Sequence, residues 1–195
     1  THIFSTDGLY NVVLTGTSLT NDCPAFDSIY LSVLPQPDIS ATTDVNFGCI
    51  PLSANFSSTV NSQGFYFWDF GDGNSSSLAN PSHTYNTDGY FDVFIKFEDL
   101  SGCVDSFDFN VSAYPIPEID FTISKLDTCI LPANYEFINT TVGGDMFLSD
   151  FGDGSTSSST NPVHGYSSGD DYTVILDVSN AYGCNSSLTD VLNVD

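Results

Sequence analysis

Apolar residues recur at every second position in short runs along this chain, and turn residues separate the runs. In the clearest run, 91–98, every odd position is Phe, Val or Ile. A period of two places these side chains on one face of a β-strand. The pattern predicts further strands at 10–14, 26–34, 38–42, 49–56, 65–70, 103–113, 121–124, 129–137, 146–151, 172–178 and 188–194. No run has a helical period, so the sequence predicts an all-β fold.

The motif Asp-Phe-Gly-Asp-Gly that follows one of these strands occurs twice. It occupies 69–73 and again 150–154, which is 81 residues later. An Asn-Pro pair, a histidine and a tyrosine follow each copy at matching distances, and a partial copy lies at 2–8. A repeat of this kind, with a period of about 80 residues, predicts an array of similar units.

Two Pro-x-Pro segments divide this array. They lie at 35–37 and 115–117, and proline restricts both its own φ and the conformation of the residue before it. We therefore predict a second unit at 36–115, a third unit at 116–195 and, at 1–35, the C-terminal part of a first unit. Each full unit carries about seven short strands with turns between them, which is typical of an immunoglobulin-like β-sandwich. Short, stiff joints favour a rod of sandwiches over a flexible string.

The incomplete first unit has strands for only part of a sandwich. Residues 1–34 would supply the last two strands of a unit, and two strands alone are marginally stable in water. We expect the missing strands to come from sequence upstream of Thr1, or from another chain that adds strands to the open sheet.

The chain is strongly acidic, with 25 Asp or Glu residues against two basic residues, Lys96 and Lys125. Nucleic acid is excluded as a partner because phosphate binding requires clustered Lys or Arg, and anionic membrane surfaces are disfavoured for the same reason. No apolar run is long enough for a transmembrane segment. The acidic surface has two interpretations: a repulsive, highly soluble coat, or a calcium-rich extracellular setting in which some carboxylates hold cations.

The five cysteines follow the same period. Cys23, Cys103 and Cys184 share one position of the unit, and Cys49 and Cys129 share another. The simplest pairing stays inside each full unit. It joins Cys49 to Cys103 and Cys129 to Cys184, and it leaves Cys23 without a partner. Paired cysteines indicate an oxidising compartment. Metal binding by cysteine is not expected, because the sequence has no Cys-x-x-Cys and no Cys/His cluster.

The segment Trp-Asp-Phe-Gly-Asp-Gly at 68–73, followed by Asn-Pro-Ser-His-Thr-Tyr at 80–85 and Gly-Tyr at 89–90, resembles the polycystic kidney disease (PKD) domain. Through the period, the resemblance covers nearly the whole chain. It implies immunoglobulin-like sandwiches of the kind found outside cells, in bacterial surface proteins and secreted hydrolases. The early cysteine and late Gly-Cys of each unit are similar to those in PKD repeats of large surface adhesins, which gliding bacteria export by the type IX secretion route.

The resemblance implies a structural role for a set of motif residues. They are Trp68, Gly71, Gly73, His83 and Tyr85 in the second unit, and Gly152, Gly154, His164 and Tyr166 in the third. The third unit departs from the pattern because Ser149 stands where Trp68 stands, so its core is expected to pack differently. Each histidine is expected to make a structural hydrogen bond, since the motif offers it no second metal ligand.

The paired carboxylates of the motif are the candidate calcium ligands: Asp69, Asp72, Asp150 and Asp153. Some PKD domains bind calcium, but the spacing of these residues lacks the Asp-x-Asp-x-Asp of an EF-hand loop. A carboxylate in such a turn more often accepts hydrogen bonds from backbone N–H groups. Both interpretations stay open. No other cofactor is expected, and a motif that recurs in each unit is not expected to be catalytic.

These observations predict a non-enzymatic extracellular repeat segment. It would form part of a stalk or filament of a bacterial cell-surface adhesin, related to gliding motility, that holds a binding tip away from the cell. The alternative is an accessory or spacer module of a secreted enzyme that degrades polysaccharide or protein, with an aromatic stripe facing the polymer. The expected partners are neighbouring repeats of the same long chain, with other filament subunits, extracellular polysaccharides or proteins as further candidates.

Overall fold

The computed structural model describes residues 1–18, 24–126 and 132–195, and every regular element in them is a β-strand, which confirms the predicted all-β class. No helix in this described part is long and apolar enough to cross a membrane. Residues 1–35, predicted to be the end of a first unit, contribute β1 (Gly8–Thr17) and β2 (Pro24–Val33). The second unit contains β3 (Ile39–Thr43), β4 (Phe47–Cys49), β5 (Leu52–Val60), β6 (Gly64–Asp69), β7 (Ser75–Ser76), β8 (Ser82–Tyr85), β9 (Gly89–Asp99) and β10 (Val104–Tyr114). The third unit contains β11 (Phe121–Lys125), β12 (Ala133–Asn139), β13 (Met146–Asp150), β14 (Thr156–Ser157), β15 (Val163–Tyr166), β16 (Asp171–Ser179) and β17 (Asn185–Asn193).

β1 and β2 form a separate antiparallel hairpin. Their pairing runs from Gly8 opposite Val33 to Thr17 opposite Pro24. The alternation predicts a half-buried strand at 10–14, but the large apolar side chains on both faces of the hairpin are exposed. These side chains are Leu9, Val12, Val13, Leu14, Phe26, Ile29, Tyr30 and Leu31. The difference arises because, among the described residues, no second sheet covers the hairpin.

Two sheets form the second unit. One has the strand order β4-β10-β9-β6-β7, and the other has the order β3-β5-β8. Neighbouring strands are antiparallel except for β4, which pairs parallel with the end of β10. The inward side chains of the two sheets meet in one core. Its buried members are Ile39, Ala41, Leu52, Ala54, Phe56, Trp68, Phe70, Tyr85, Phe91, Val93, Ile95, Phe97, Val111 and Ala113.

The third unit repeats this architecture. Its two sheets have the orders β14-β13-β16-β17 and β11-β12-β15. The buried core members are Ala133, Tyr135, Phe137, Phe151, Tyr166, Val174 and Val194. The positions equivalent to β4, 127–129, lie outside the described residues.

Some strand boundaries differ from those predicted. The predicted strand 49–56 is two strands in two sheets, because Pro51 has no backbone N–H with which to continue a ladder between β4 and β5. The four-residue strand β8 lies over the His-Thr-Tyr motif and was not predicted, since so short a run shows no alternation.

The two cores differ at the position of Trp68. Its indole ring is fully buried, and its centroid lies 5.5 Å from that of the Phe56 ring. Ser149 at the equivalent position is also buried, and a cavity of only about 10 Å³ borders it. The core of the third unit has therefore closed around the smaller side chain.

The predicted cysteine pairing is wrong. Cys49 is bonded to Cys184 of the third unit, with 5.6 Å between the two Cα atoms, and Cys103 carries a free thiol. The disulfide thus joins the two full units instead of closing either one. Cys23 and Cys129 lie outside the described residues.

The length of β10 explains why Cys49 cannot reach Cys103. Cys49 lies opposite Tyr114, the last residue of β10, whereas Cys103 directly precedes the first residue, Val104. The strand has 11 residues, and at ~3.4 Å per residue its ends lie ~35 Å apart. A disulfide requires Cα atoms about 4.4–6.8 Å apart. The early and the late cysteine of one unit therefore lie at its opposite ends.

Candidate functional site

Each full unit carries a tight glycine loop directly after β6 or β13. Gly71 has φ +80°, and a Cβ atom there would lie 2.6 Å from the carbonyl oxygen of Asp92 on β9. Gly152 has φ +78°, and a Cβ atom there would lie 2.5 Å from the carbonyl oxygen of Thr173 on β16. Only glycine avoids both the strain of positive φ and this collision. The motif therefore fixes the loop against the neighbouring strand.

The first aspartate of each motif stabilises the turn of the loop. Oδ1 of Asp69 accepts a hydrogen bond from the backbone N–H of Gly71 at 2.9 Å, and Oδ1 of Asp150 accepts one from Gly152 at the same distance. Such Asx turns satisfy N–H groups that no strand partner reaches.

The second aspartate of each motif contacts a histidine from the opposite sheet. Nε2 of His83, on β8, lies 2.7 Å from Oδ2 of Asp72. Nε2 of His164, on β15, lies 2.8 Å from Oδ2 of Asp153. Because β8 and β15 belong to one sheet of each sandwich and the loop follows a strand of the other, each pair ties the two sheets together.

Aromatic rings hold each histidine in place. The ring of His83 stacks on that of Phe70, with centroids 4.3 Å apart and an interplanar angle of 3°. The edge contact between His83 and Tyr85 has a centroid distance of 4.7 Å. The third unit repeats this arrangement, with 4.2 Å between the ring centroids of His164 and Phe151. Packing on two sides thus fixes the orientation of each imidazole.

The tyrosine that ends β8 or β15 donates a hydrogen bond back to the loop. The hydroxyl of Tyr85 donates to the carbonyl oxygen of Phe70 at 3.1 Å, and that of Tyr166 donates to Phe151 at 2.9 Å. Burial raises the pKa of both hydroxyls well above the ordinary tyrosine value. Both groups therefore remain protonated donors at physiological pH.

Hydrogen bonds lower the pKa of the second aspartate. For Asp153 the hydroxyl of Ser155 makes the largest contribution and burial opposes it, and the resulting pKa is about 2. For Asp72 burial raises the pKa, but hydrogen bonds from Asn74 and His83 outweigh it and the net pKa is lowered. Both carboxylates are therefore ionised at physiological pH.

The oxygens of Asp72 are already engaged by protein donors. Oδ1 accepts the backbone N–H of Asn74 and Oδ2 accepts its side-chain amide, each at 3.0 Å, while His83 lies beside Oδ2. Within the described residues, no group of three or more His, Cys, Asp or Glu side chains could hold a metal ion. The arrangement holds a loop between two sheets, and calcium binding at the paired carboxylates stays a prediction.

A second site lies at the joint between the two full units. The disulfide between Cys49 and Cys184 crosses this joint. Beside it, the rings of Tyr114 and Tyr182 stack with centroids 4.0 Å apart and an interplanar angle of 7°. Since β4 pairs with β10 at Tyr114, the residue that stacks on the third unit also anchors the strand that carries Cys49.

Asn180 organises the third unit's side of the joint and is itself buried. Its side-chain amide donates to the carbonyl oxygen of Pro115 at 2.8 Å. Its Oδ1 accepts the backbone N–H groups of Tyr182 and Cys184, each at 3.0 Å. One side chain therefore fixes the turn that carries the cysteine and attaches this turn to the linker.

The sequence alone did not reveal Tyr114, Asn180 or Tyr182 as joint residues. The available signal was the position of the late cysteine, which follows a glycine in the turn between the two longest strands of a unit. A long strand starting at that turn and ending at the Pro-x-Pro segment must separate the two ends of the unit.

The chain matches one family model and is similar to several solved structures. A family model described as the PKD domain matches residues 32–113 and 115–195. The chain is similar to the crystal structure of the PKD1 domain of Vibrio anguillarum Epp, with 24% identity and a TM-score of 0.35 over 41% of this chain and 94% of that chain. It is also similar to fibronectin(III)-like modules of Clostridium thermocellum CbhA, with 13% identity and a TM-score of 0.35 over 80% and 94%. Cadherin domains 1–4 of protocadherin gamma B7 match with 13% identity and a TM-score of 0.34 over 95% and 57%.

Proposed function

Because the chain belongs to the PKD domain family through two tandem domains, at 32–113 and 115–195, we propose that it is a non-enzymatic, load-bearing extracellular spacer. PKD domains are typically non-catalytic modules, and tandem copies suggest a repeat or spacer segment. The parent protein would be a bacterial cell-surface adhesin, related to gliding motility, whose stalk or filament includes this segment.

The inter-unit disulfide is the observation that carries the proposal. A spacer that transmits force must resist bending and separation at its joints. Here a covalent bond from Cys49 to Cys184 is reinforced by ring stacking between Tyr114 and Tyr182 and by the Asn180 hydrogen bond to the linker. A flexible linker without such contacts would let the two units move independently.

The disulfide and the net charge support an extracellular setting. Disulfides persist in oxidising environments outside the cytosol. A formal net charge of −23 keeps neighbouring chains apart and favours solubility at a crowded surface. Both features suit a spacer that must stay extended and must not aggregate.

Rigidity of the joint can be measured by NMR relaxation of the oxidised chain 1–195. If the joint is rigid, the second and third units should share one rotational correlation time. Cys184→Ser should give the units shorter, separate correlation times, whereas the matched variant Cys103→Ser should leave them unchanged. Independent tumbling of the two units in the oxidised wild-type chain would argue against a load-bearing spacer.

Cell-surface location has a separate test. An antibody raised against residues 36–195 should label intact cells of the source organism, and external protease should remove the label. Labelling that requires cell lysis would contradict the extracellular assignment, whatever the rigidity of the joint.

One observation favours the accessory-module alternative. The outer face of the large sheet in the second unit exposes Phe65, Phe67 and Phe94 to 69%, 48% and 39%. Aromatic side chains on a flat sheet can stack on sugar rings or contact apolar peptide side chains. Affinity electrophoresis against polysaccharides should then show retardation that Phe65→Ser with Phe67→Ser removes and Phe47→Ser, on β4, does not.

A further inference from the structure

The turn that carries the free Cys103 has the same construction as the turn that carries Cys184. Oδ1 of Asp99 accepts the backbone N–H of Cys103 at 2.9 Å, as Oδ1 of Asn180 accepts that of Cys184 at 3.0 Å. In both turns the backbone N–H of the first residue, Asp99 or Asn180, donates to the carbonyl oxygen of the cysteine at 2.9 Å. The glycine before each cysteine has nearly the same φ, 84° and 83°. Two equivalent cysteines are therefore presented in the same way, but only Cys184 is bonded.

The joint before the second unit also resembles the joint before the third. The linker segment 34–37 lines a cavity of about 150 Å³ together with the turn residues Asp99 and Ser101. Nε2 of Gln36 donates to the carbonyl oxygen of Val104, directly after Cys103, at 3.3 Å. By the repeat period, residue 34 corresponds to 114 and residue 101 to 182, the two positions that stack at the later joint. The Cys103 turn thus faces the linker as the Cys184 turn does.

A strand carrying a partner cysteine for Cys103 could pair with the edge of β2 at this joint, because that edge is unpaired in the described residues. At the later joint, β4 pairs parallel with residues 112–114 of β10 and brings Cys49 opposite Tyr114. The equivalent positions are 32–34, at the end of β2. In the described residues β2 pairs with β1 alone, so this edge carries no strand equivalent to β4.

We propose that Cys103 is one half of a second inter-unit disulfide, and that its partner is the β4-type cysteine of a unit stacked on the Pro35 side. That cysteine would sit on a strand paired with the edge of β2, as Cys49 sits on β4 beside β10. Every joint of the array then carries the same cross-link, from the early cysteine of one unit to the late cysteine of the next. This inference goes beyond the proposed function and rests on the geometry of the joints together with the repeat period.

The bond forms by thiol–disulfide exchange. The two cysteine thiols lose two protons and two electrons in total as the S–S bond forms. A disulfide-class oxidant accepts them and is itself reduced to two thiols. Oxidised glutathione serves as this oxidant in the test below.

The test adds a copy of the early strands of the second unit ahead of residues 1–195. A copy of residues 36–81 is fused directly ahead of Thr1, so that the copied Pro81 precedes Thr1 as the original precedes Ser82. This copy supplies strands equivalent to β3–β7 and a cysteine equivalent to Cys49. After folding in glutathione buffer, non-reducing peptide mapping should find Cys103 joined to the copied cysteine. Iodoacetamide should alkylate Cys103 in the unfused chain 1–195 and should no longer alkylate it in the fused chain.

Replacing the copied cysteine by serine is the matched control. It should restore alkylation of Cys103 and leave the bond between Cys49 and Cys184 intact. The proposal is overturned if the fused chain folds, as judged by hydrogen-exchange protection of β1 and β2, while Cys103 is still fully alkylated or the copied cysteine is bonded elsewhere.

A second fusion guards against failure of the first to fold. Here residues 36–115 are joined directly ahead of residues 36–195, so that two complete second units follow one another. The leading copy of Cys49 should bond the Cys103 of the unit behind it, and a folded protein without that bond overturns the proposal. Neither result changes the tumbling of the second and third units in chain 1–195, which tests the spacer function separately.

Discussion

Trp68 and Ser149 occupy the same position in two homologous cores, and each core should lose stability when its own residue at this position is replaced by one of a very different size. The Trp68 ring is fully buried, so Trp68→Ala should lower the free energy of unfolding of the second unit by about 3–5 kcal/mol. Ser149→Trp should destabilise the third unit by about 1–3 kcal/mol or more, because the core around Ser149 has no room for an indole. Calorimetric unfolding of each variant measures both effects.

Trp68→Phe is the control for ring packing. The indole Nε1 of Trp68 is buried and has no hydrogen-bond partner, so the change loses volume but no hydrogen bond. Its cost should be clearly smaller than that of Trp68→Ala. Equal losses for both variants would contradict the expectation that a phenyl ring retains most of the packing of the indole ring.

Acid should weaken the loop of the third unit through Asp153. Its pKa is lowered from the ordinary value of 3.8 to about 2, so the unfolded chain binds this proton at a higher pH than the folded protein does. The stabilisation is therefore complete above the ordinary pKa and is lost as the pH falls toward about 2. Ser155→Ala should raise the pKa of Asp153 and make Tm less dependent on pH in this window.

NMR titration of the Asp153 carboxyl carbon checks the effect of Ser155→Ala directly. Asn74→Ala, which removes the corresponding donor in the second unit, should leave the titration of Asp153 unchanged and raise the pKa of Asp72 instead. An unchanged Asp153 titration in Ser155→Ala would mean that the hydroxyl does not determine this pKa.

Calcium should stabilise the chain only slightly, since donors from Asn74 and His83 already engage the oxygens of Asp72. Ions that bind only the folded state raise Tm in a saturable way. Millimolar calcium should therefore cause a small rise in Tm that sodium at equal ionic strength reproduces. A large rise that Asp72→Ala abolishes and Asp27→Ala, on the hairpin, retains would contradict this.

At the scale of strands, alternation predicted the long elements well and the short ones poorly. The strand predicted at 91–98 is observed as β9, Gly89–Asp99. The prediction succeeded because the inward residues of this strand are all large and apolar. β8 has only four residues and exists through its pairing with β5, which a local pattern does not contain. The division of 49–56 between two sheets is likewise a property of the tertiary structure.

The same distinction explains what was found at the two sites. The period showed that His83 and His164 are equivalent, and their spacing of 11 residues from Asp72 and Asp153 was visible in the sequence. The sequence did not show that these side chains touch, because their contact depends on β8 lying beside the loop. For the cysteines, the period established equivalence between units but not the end of the unit at which each one lies. That information came from the length of β10 and the parallel pairing of β4.

The hairpin β1–β2 should exchange its amide hydrogens faster than the equivalent strands β9 and β10 of the same molecule. All four strands are long and antiparallel, but β9 and β10 cover a buried core, whereas the apolar side chains of the hairpin are exposed. Stability against local opening depends on buried apolar contacts. Hydrogen exchange followed by mass spectrometry compares the two pairs under identical conditions. Equal protection in a monomeric chain would show that the hairpin needs no covering sheet.

At the scale of the whole molecule, the disulfide determines how far the chain extends under force. When the ends of 1–195 are pulled, tension passes from Cys49 directly to Cys184, and the residues between them stay outside the loaded path. This loop has a sequence separation of 135 residues, so reduction followed by unfolding of the two units should release about 470 Å of additional contour length. Single-molecule extension with and without reductant measures this difference. Cys184→Ser should show the full length without reductant, and Cys103→Ser should behave as the wild type does. Full extension of the oxidised wild-type chain would show that the disulfide does not carry the load. An increase in length that appears only with reductant means that a stalk of such units cannot extend fully until the disulfides at its joints are reduced.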